Sequence, residues 1–320
     1  MLQLNIPERI HFCSNFKEIA GELNLTSGDL ILTSQYLYSK HLNDNTSAGK
    51  IITFAGNGSK ICDEKKITPL MPEIPPGIKR VIAFGEASIQ NYAKLIRTKY
   101  YAALPLILIS SICEAGNELL NHVFVQKESP VSYQTAAADA IYLYTEIPET
   151  SQLHAFIAGS IDTLIYASET FIHELATEHS LLFSREALRL LISNYRKIVF
   201  RNQHLNNELV RNFLLAGNYT GIARKMTDTS LLEPLYQNPD ETGSASCHLR
   251  LLIFIHLFRR SVFTTPTGRI QEYLSYMASL LECSRSNVYP ELLNLVKCIL
   301  PPSDTKNVKL PPHLYEIENL

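Results

Sequence analysis

A change of texture near residue 150 constrains the fold more than any other feature of this chain. Before it, short β-branched and aliphatic runs alternate with helical patterns. Asp29–Thr33, Lys50–Phe54, Arg80–Phe84 and Leu104–Ser110 predict buried strands, and Asn15–Leu23 and Ser88–Thr98 predict helices between them. Strands spaced by helices predict a parallel sheet with crossover helices. The patch Pro69–Gly77 predicts a loop before the third strand. After residue 150 the 3.6-residue period takes over. Ser160–Glu178, Ser184–Phe200, Asn206–Ala216, Tyr219–Thr227, Cys247–Phe263 and Ile270–Cys283 predict helices, with turn signals such as Pro234 and Thr265–Gly268 between them. The expected fold class is an α/β N-terminal domain with a parallel sheet, residues 1–145, followed by an all-helical C-terminal domain, residues 146–320. The junction of two such halves is where a small-molecule ligand is expected.

Composition removes several functions. With 320 residues the chain can bury sizeable cores without metals or disulfides. Its 29 Lys and Arg against 31 Asp and Glu give a net charge of -2, so neither nucleic acid nor an anionic membrane is expected as partner. No apolar run approaches the ~20 residues of a membrane span. The longest, Leu249–Phe263, carries Arg250, His256, Arg259 and Arg260 and predicts a buried helix with a basic end. Cys13, Cys62, Cys113, Cys247, Cys283 and Cys298 form no C-x-x-C pair, and no export signal precedes them. Reduced thiols and a cytoplasmic location are expected.

The strand Arg80–Phe84 runs into Gly85-Glu86-Ala87-Ser88 and then a helix, a strand-turn-helix that can hold phosphate on backbone amides and a positive helix end. A single glycine there also suits a plain turn. Phe84–Lys94 (FGEASIQNYAK) resembles the G-G-G-S-x-x-D-x-A-K segment of the iron-dependent alcohol dehydrogenase and dehydroquinate synthase superfamily. Pro105–Glu118 (PLILISSICEAGNE) is similar to that family's P-x-x-x-I-P-T-T-A-G-T-G-S-E stretch, and the opening IPERIHFCSNFKEIAGEL to its first strand and helix.

The resemblance implies a dinucleotide-type first domain, NAD(P) as cofactor, and cofactor-binding roles for Gly85, Ser88, Lys94, Ser111, Gly116 and Glu118. Glu86, Ala87 and Glu114 stand at glycine positions of the pattern, and Asn91 at its aspartate. A carboxylate facing a pyrophosphate is unfavourable in bulk and in sign.

Ser160–Phe171 (SIDTLIYASETF) resembles the family's G-M-D-A-L-x-H-A-x-E helix, whose Asp and His, four apart, share a face and hold a divalent metal. Asp162 and Glu169 are retained, and Tyr166 replaces the histidine, a poor ligand given its phenol. Ala216–Pro234 (AGNYTGIARKMTDTSLLEP) is similar to A-S-x-x-A-G-x-A-F-x-N-A-x-x-G-x-x-H and sets Glu233 at a second histidine position; His248, beside Cys247, stands near the last. The resemblance thus implies iron or zinc on Asp162, Glu233 and His248, although Asp162 also suits a helix cap and the other two ordinary polar positions. His173 continues the face of Asp162, Tyr166 and Glu169.

Three functions follow as expectations. One is a NAD(P)- and metal-dependent oxidoreductase acting on an alcohol or aldehyde. Another is a catalytically silent family member serving as a partner or regulatory subunit, as a homo-oligomer or with another protein. The last is an enzyme with a repurposed, metal-independent cleft.

Overall fold

The computed structural model of the chain describes residues 6–7, 9–42, 47–54, 61–126, 131–135, 137–227, 251–252, 254–255 and 268–300. They fall into two compact units, one drawn from Met1–Ile112 and Asn117–Glu146, the other from Cys113–Gly116 and Ile147–Leu320.

The first unit is built on a parallel sheet. Its strands are β1 (Arg9–Cys13), β2 (Asp29–Ser34), β3 (Lys50–Phe54), β5 (Arg80–Gly85), β6 (Leu106–Ser110) and β9 (Ala140–Tyr144), in the order β1-β9-β6-β5-β2-β3. The inner strands β2, β5, β6 and β9 are buried along nearly their whole length, and the edges β1 and β3 are only partly so. That pattern is why the inner strands read as continuous aliphatic runs rather than as alternations. A small second sheet holds β4 (Ile61–Cys62) parallel to β7 (His122–Val125), with β8 (Val131–Gln134) antiparallel to β7.

Helix α1 (Phe16–Leu23) starts where the Asn15 side chain accepts from the Glu18 amide. A short helix, α2 (Gln35–Leu37), runs into a π-helical turn, Tyr38–Leu42, and α3 (Glu64–Ile67) into a 3-10 helix, Thr68–Glu73, where the prolines predicted a loop. Helix α4 (Ala87–Tyr100) is buried at every position from Ala87 to Ile96 because strands of both sheets pack on it. At the amino end of the main sheet the buried carboxylate of Asp29 accepts from Arg80 Nε (2.6 Å) and Nη2 (2.7 Å), which pins β2 to β5.

The second unit is helical among the described residues: α5 (Thr150–Ile172), α6 (Glu178–Phe200), α7 (Asn207–Thr227) and two further helices, Gly268–Leu281 and Val288–Ile299. A capping box of Thr177 and Ser180 starts α6. Phe156 meets Phe213 edge-on at 5.6 Å, and the Tyr273 hydroxyl donates to Ser168 Oγ at 2.9 Å, so α5 is held by apolar and polar contacts alike. Helix α7 runs unbroken through Gly217-Asn218, where the sequence predicts a break. Burial pushes the thiol of Cys62 up to about 12 and that of Cys13 up to about 11, so both remain protonated core groups. No helix among the described residues is long and apolar enough to cross a membrane.

Candidate functional site

In the first unit, the chain leaves β2 toward the edge strand β3 and returns to the other side of β2 as β5. The carboxyl ends of β2 and β5 therefore form a topological switch point, where open α/β sheets bind ligands. Thr33 Oγ1 donates to the Phe84 carbonyl at 2.9 Å and ties the two strand ends. Gly85, with φ +152, leads directly into α4. Glu86 is the N-cap residue, but its side chain makes no capping bond. Instead, the Glu86 carboxylate accepts from Ser88 Oγ at 2.6 Å.

Of the other residues assigned to the cofactor, Lys94 is fully buried and donates to the Asn117 carbonyl at 2.5 Å. The Asn117 amide in turn donates to Gln90 and Asn91, each at 3.0 Å. Asn91, where the family pattern has aspartate, thus serves as an internal acceptor. Glu118 is buried in a 3-10 turn, Asn117–Leu119, and Ser111 lies just past β6.

Gly116 belongs to the helical unit. Its φ is +67, and a methyl group there would stand 2.4 Å from Gly221 Cα and 2.5 Å from the Gly217 carbonyl oxygen. Close approach to α7 is sufficient reason for glycine at this position. Neighbouring contacts fix the segment: the Ala115 amide donates to Thr163 Oγ1 (2.9 Å) and Cys113 Sγ to the Phe213 carbonyl (2.9 Å).

The cradle fits a dinucleotide phosphate in shape, since the amino end of a 14-residue helix follows a positive-φ glycine at the switch point. It opposes one in charge through Glu86. Two unit charges about 4 Å apart repel by about 4 kcal/mol at an effective dielectric of about 20, and partial exposure of Glu86 reduces this further. Replacing Glu86 by glycine is expected to tighten NADH or NADPH binding by about tenfold, read by nicotinamide fluorescence. Unchanged affinity would remove Glu86 from the cradle.

In the second unit, Asp162, Tyr166 and Glu169 lie buried on one side of α5. His173 departs from that row. It is the C-cap residue, its Nδ1 accepts from the Leu175 amide at 3.0 Å, and burial lowers its pKa. The guanidinium carbon of Arg224, a residue only 7% exposed, stands 3.9 Å from the centre of the Tyr166 ring, and Nη1 donates to the Ala115 carbonyl at 3.3 Å. Arg224 occupies the phenylalanine position of the motif that carries Glu233. Glu233 and His248 lie outside the described residues, as does Cys247. Among the described residues no cluster of three or more His, Cys, Asp or Glu could hold a metal.

Among the described residues, the surroundings of Tyr166 disfavour a divalent ion, because a guanidinium covers the ring that stands at the histidine position. Charges of +2 and +1 about 6 Å apart repel by roughly 5 kcal/mol at an effective dielectric of about 20. The buried cation here belongs to the chain itself.

A polar cluster at the carboxyl end of the sheet escaped the sequence reading. The Tyr144 hydroxyl donates to Glu146 and lies 2.9 Å from His41 Nε2, and Lys40 Nζ reaches Glu146 at 2.8 Å. Lys40 and His41 sit in the π-helical turn after β2, and the His41 ring packs against Phe16 and Phe84. An irregular turn of this kind leaves no period in the sequence.

No family model matches the chain. Across 94% of its length it is 22% identical to 4-hydroxybutyrate dehydrogenase of Clostridium kluyveri, covering 86% of that protein. The solved iron-containing alcohol dehydrogenase of Thermococcus thioreducens superposes with a TM-score of 0.74 at 16% identity, over 93% of this chain and 86% of that one. Maleylacetate reductase from a Rhizobium species superposes with a TM-score of 0.69 at 14% identity, over 95% and 87%.

Proposed function

We propose that this chain, a divergent iron-alcohol-dehydrogenase-like protein by sequence and by fold, interconverts an alcohol and a carbonyl compound without the metal ion of its relatives' class. The observation that carries the reading is the Arg224 guanidinium stacked on Tyr166, at the position where the family pattern sets a metal-binding histidine. A nicotinamide dinucleotide, its phosphates at the amino end of α4 beside Gly85 and Ser88, would supply the hydride acceptor.

The chain's own residues account for the proton. As hydride leaves the carbinol carbon, the alcohol oxygen must lose its proton, and the Tyr166 side chain, as phenolate, is the group assigned to take it and become the phenol. Arg224, stacked on the ring, would stabilise the negative charge of the phenolate, an electrostatic task that a metal would otherwise perform. In the carbonyl-reducing direction the same phenol donates the proton. By analogy with the named relative, short hydroxy acids such as 4-hydroxybutyrate are the first substrates to try.

The test is NADH or NADPH oxidation with short aldehydes, including the aldehyde of 4-hydroxybutyrate. Turnover is the expected result. The Glu86 to Ser88 bond inside the cradle favours a second reading, a silent member kept as a partner or regulatory subunit. That reading prevails if neither dinucleotide binds and no substrate turns over.

A further inference from the structure

A groove of about 360 Å³ runs along the last three turns of α6 and borders Leu280 and Glu282, wholly within the helical unit. Arg189, Arg196, Lys197 and Arg201 all line it. At 1.5 Å per residue these cations are spread over about 18 Å of helix. Phe200, 70% exposed, stands among them with the Arg196 guanidinium 5.7 Å from its ring centre.

Two of the cations are only loosely neutralised. Arg196 meets Glu282 at 2.7 Å and Lys197 meets Glu208 at 3.3 Å, and both carboxylates are mostly in solvent, where such pairs exchange readily. Arg189 pairs with Glu186 on its own helix. Arg201 has no ion pair among the described residues. Favourable interaction with the negative end of α6 accounts for cations in its last turn. It does not account for Arg189, three turns earlier, nor for a phenylalanine left in water.

We propose that this groove binds a nucleoside phosphate, with the base stacked on Phe200 and the phosphates on Arg201 and its neighbouring cations. The volume lies in the small-ligand range of about 300–1,000 Å³. A second copy of the chain would need about 800 Å² of surface per partner, and a single aromatic ring supplies little of the apolar centre such an interface has. A planar apolar platform flanked by guanidinium groups matches a base joined to phosphate. The groove shares no residue with the oxidoreductase reading, so either can fail alone.

The chain contains no tryptophan. Phe200→Trp therefore creates a single reporter inside the groove, at a position exposed enough to leave the core undisturbed. Titration with ATP is expected to quench it saturably, inorganic pyrophosphate to bind at least about tenfold more weakly, and Arg201→Ala in the same background to weaken ATP by about tenfold. Calorimetry on the wild-type chain and on Arg201→Ala repeats the comparison without the tryptophan. No saturable binding of ATP up to about 5 mM, or an affinity indifferent to Arg201, would overturn the proposal. So would an acidic peptide that binds as tightly as ATP, which would mark the groove as a protein contact.

Discussion

Replacing Gly116 by alanine is expected to destabilise the helical unit by more than about 3 kcal/mol, a large part of the 5–15 kcal/mol that holds an ordinary domain together. Two costs combine. An alanine at φ +67 pays about 1–2 kcal/mol for the left-handed backbone alone. Its methyl group would then stand 2.4 Å from Gly221 Cα and 2.5 Å from the Gly221 amide, contacts that only a shift of α7 can relieve. Gly77→Ala is the matched control, because Gly77 has φ +91 and a methyl group there meets nothing within 4 Å. Urea unfolding followed by circular dichroism should show Gly116→Ala far less stable than Gly77→Ala. Equal stabilities, with dinucleotide affinity alone reduced, would mean that Gly116 is kept for the cofactor rather than for packing.

Tyr166→Phe is expected to lower the turnover number for carbonyl reduction by about 10²–10⁴-fold, the usual worth of a positioned proton donor. Dinucleotide affinity should stay within about twofold of the parent, because the hydroxyl removed is assigned to the proton and not to the phosphates. The aromatic ring under Arg224 is kept, so the variant removes the hydroxyl and little else. That division separates a proton-exchanging role from a structural one, which would move stability and leave the rate per folded molecule unchanged. An unchanged turnover number would exclude the phenol from the reaction.

The framework of the sheet was legible because burial on both faces leaves a plain mark. Asp29–Thr33, Lys50–Phe54, Arg80–Phe84 and Leu104–Ser110 each match an observed strand to within two residues at either end. The resemblance of residues 81–169 to the iron-dependent family extended that reading to the helical unit, and the superposed structures have the same fold. β9, by contrast, is a five-residue strand following an alanine-rich stretch, and β7 and β8 are four residues each, too short for a period to emerge. The break expected between Ala216 and Tyr219 does not occur. Gly217 is inside α7 because the Cys113–Gly116 segment approaches it closely, a tertiary requirement that local propensity cannot register.

The site was legible only in part. Gly85, Glu86 and Ser88 could be read from the strand-turn-helix pattern, and the structure adds that the Glu86 carboxylate rests on Ser88. The substitution of Tyr166 for histidine was visible in one motif, but its partner Arg224 is 58 positions further on, and no spacing rule links them. The cluster of Lys40, His41, Tyr144 and Glu146 joins a π-helical turn to residues at and just beyond the end of β9, for the same reason invisible until the chain is folded.

The most direct test of the account is the rate of aldehyde reduction by protein stripped with EDTA, measured with NADH and NADPH before and after adding Fe²⁺ or Zn²⁺. With Arg224 serving as the buried cation, the stripped protein should turn over, and added metal should leave the rate unchanged. A rate that appears only when the metal is restored would contradict the account, as would the absence of any rate in either state.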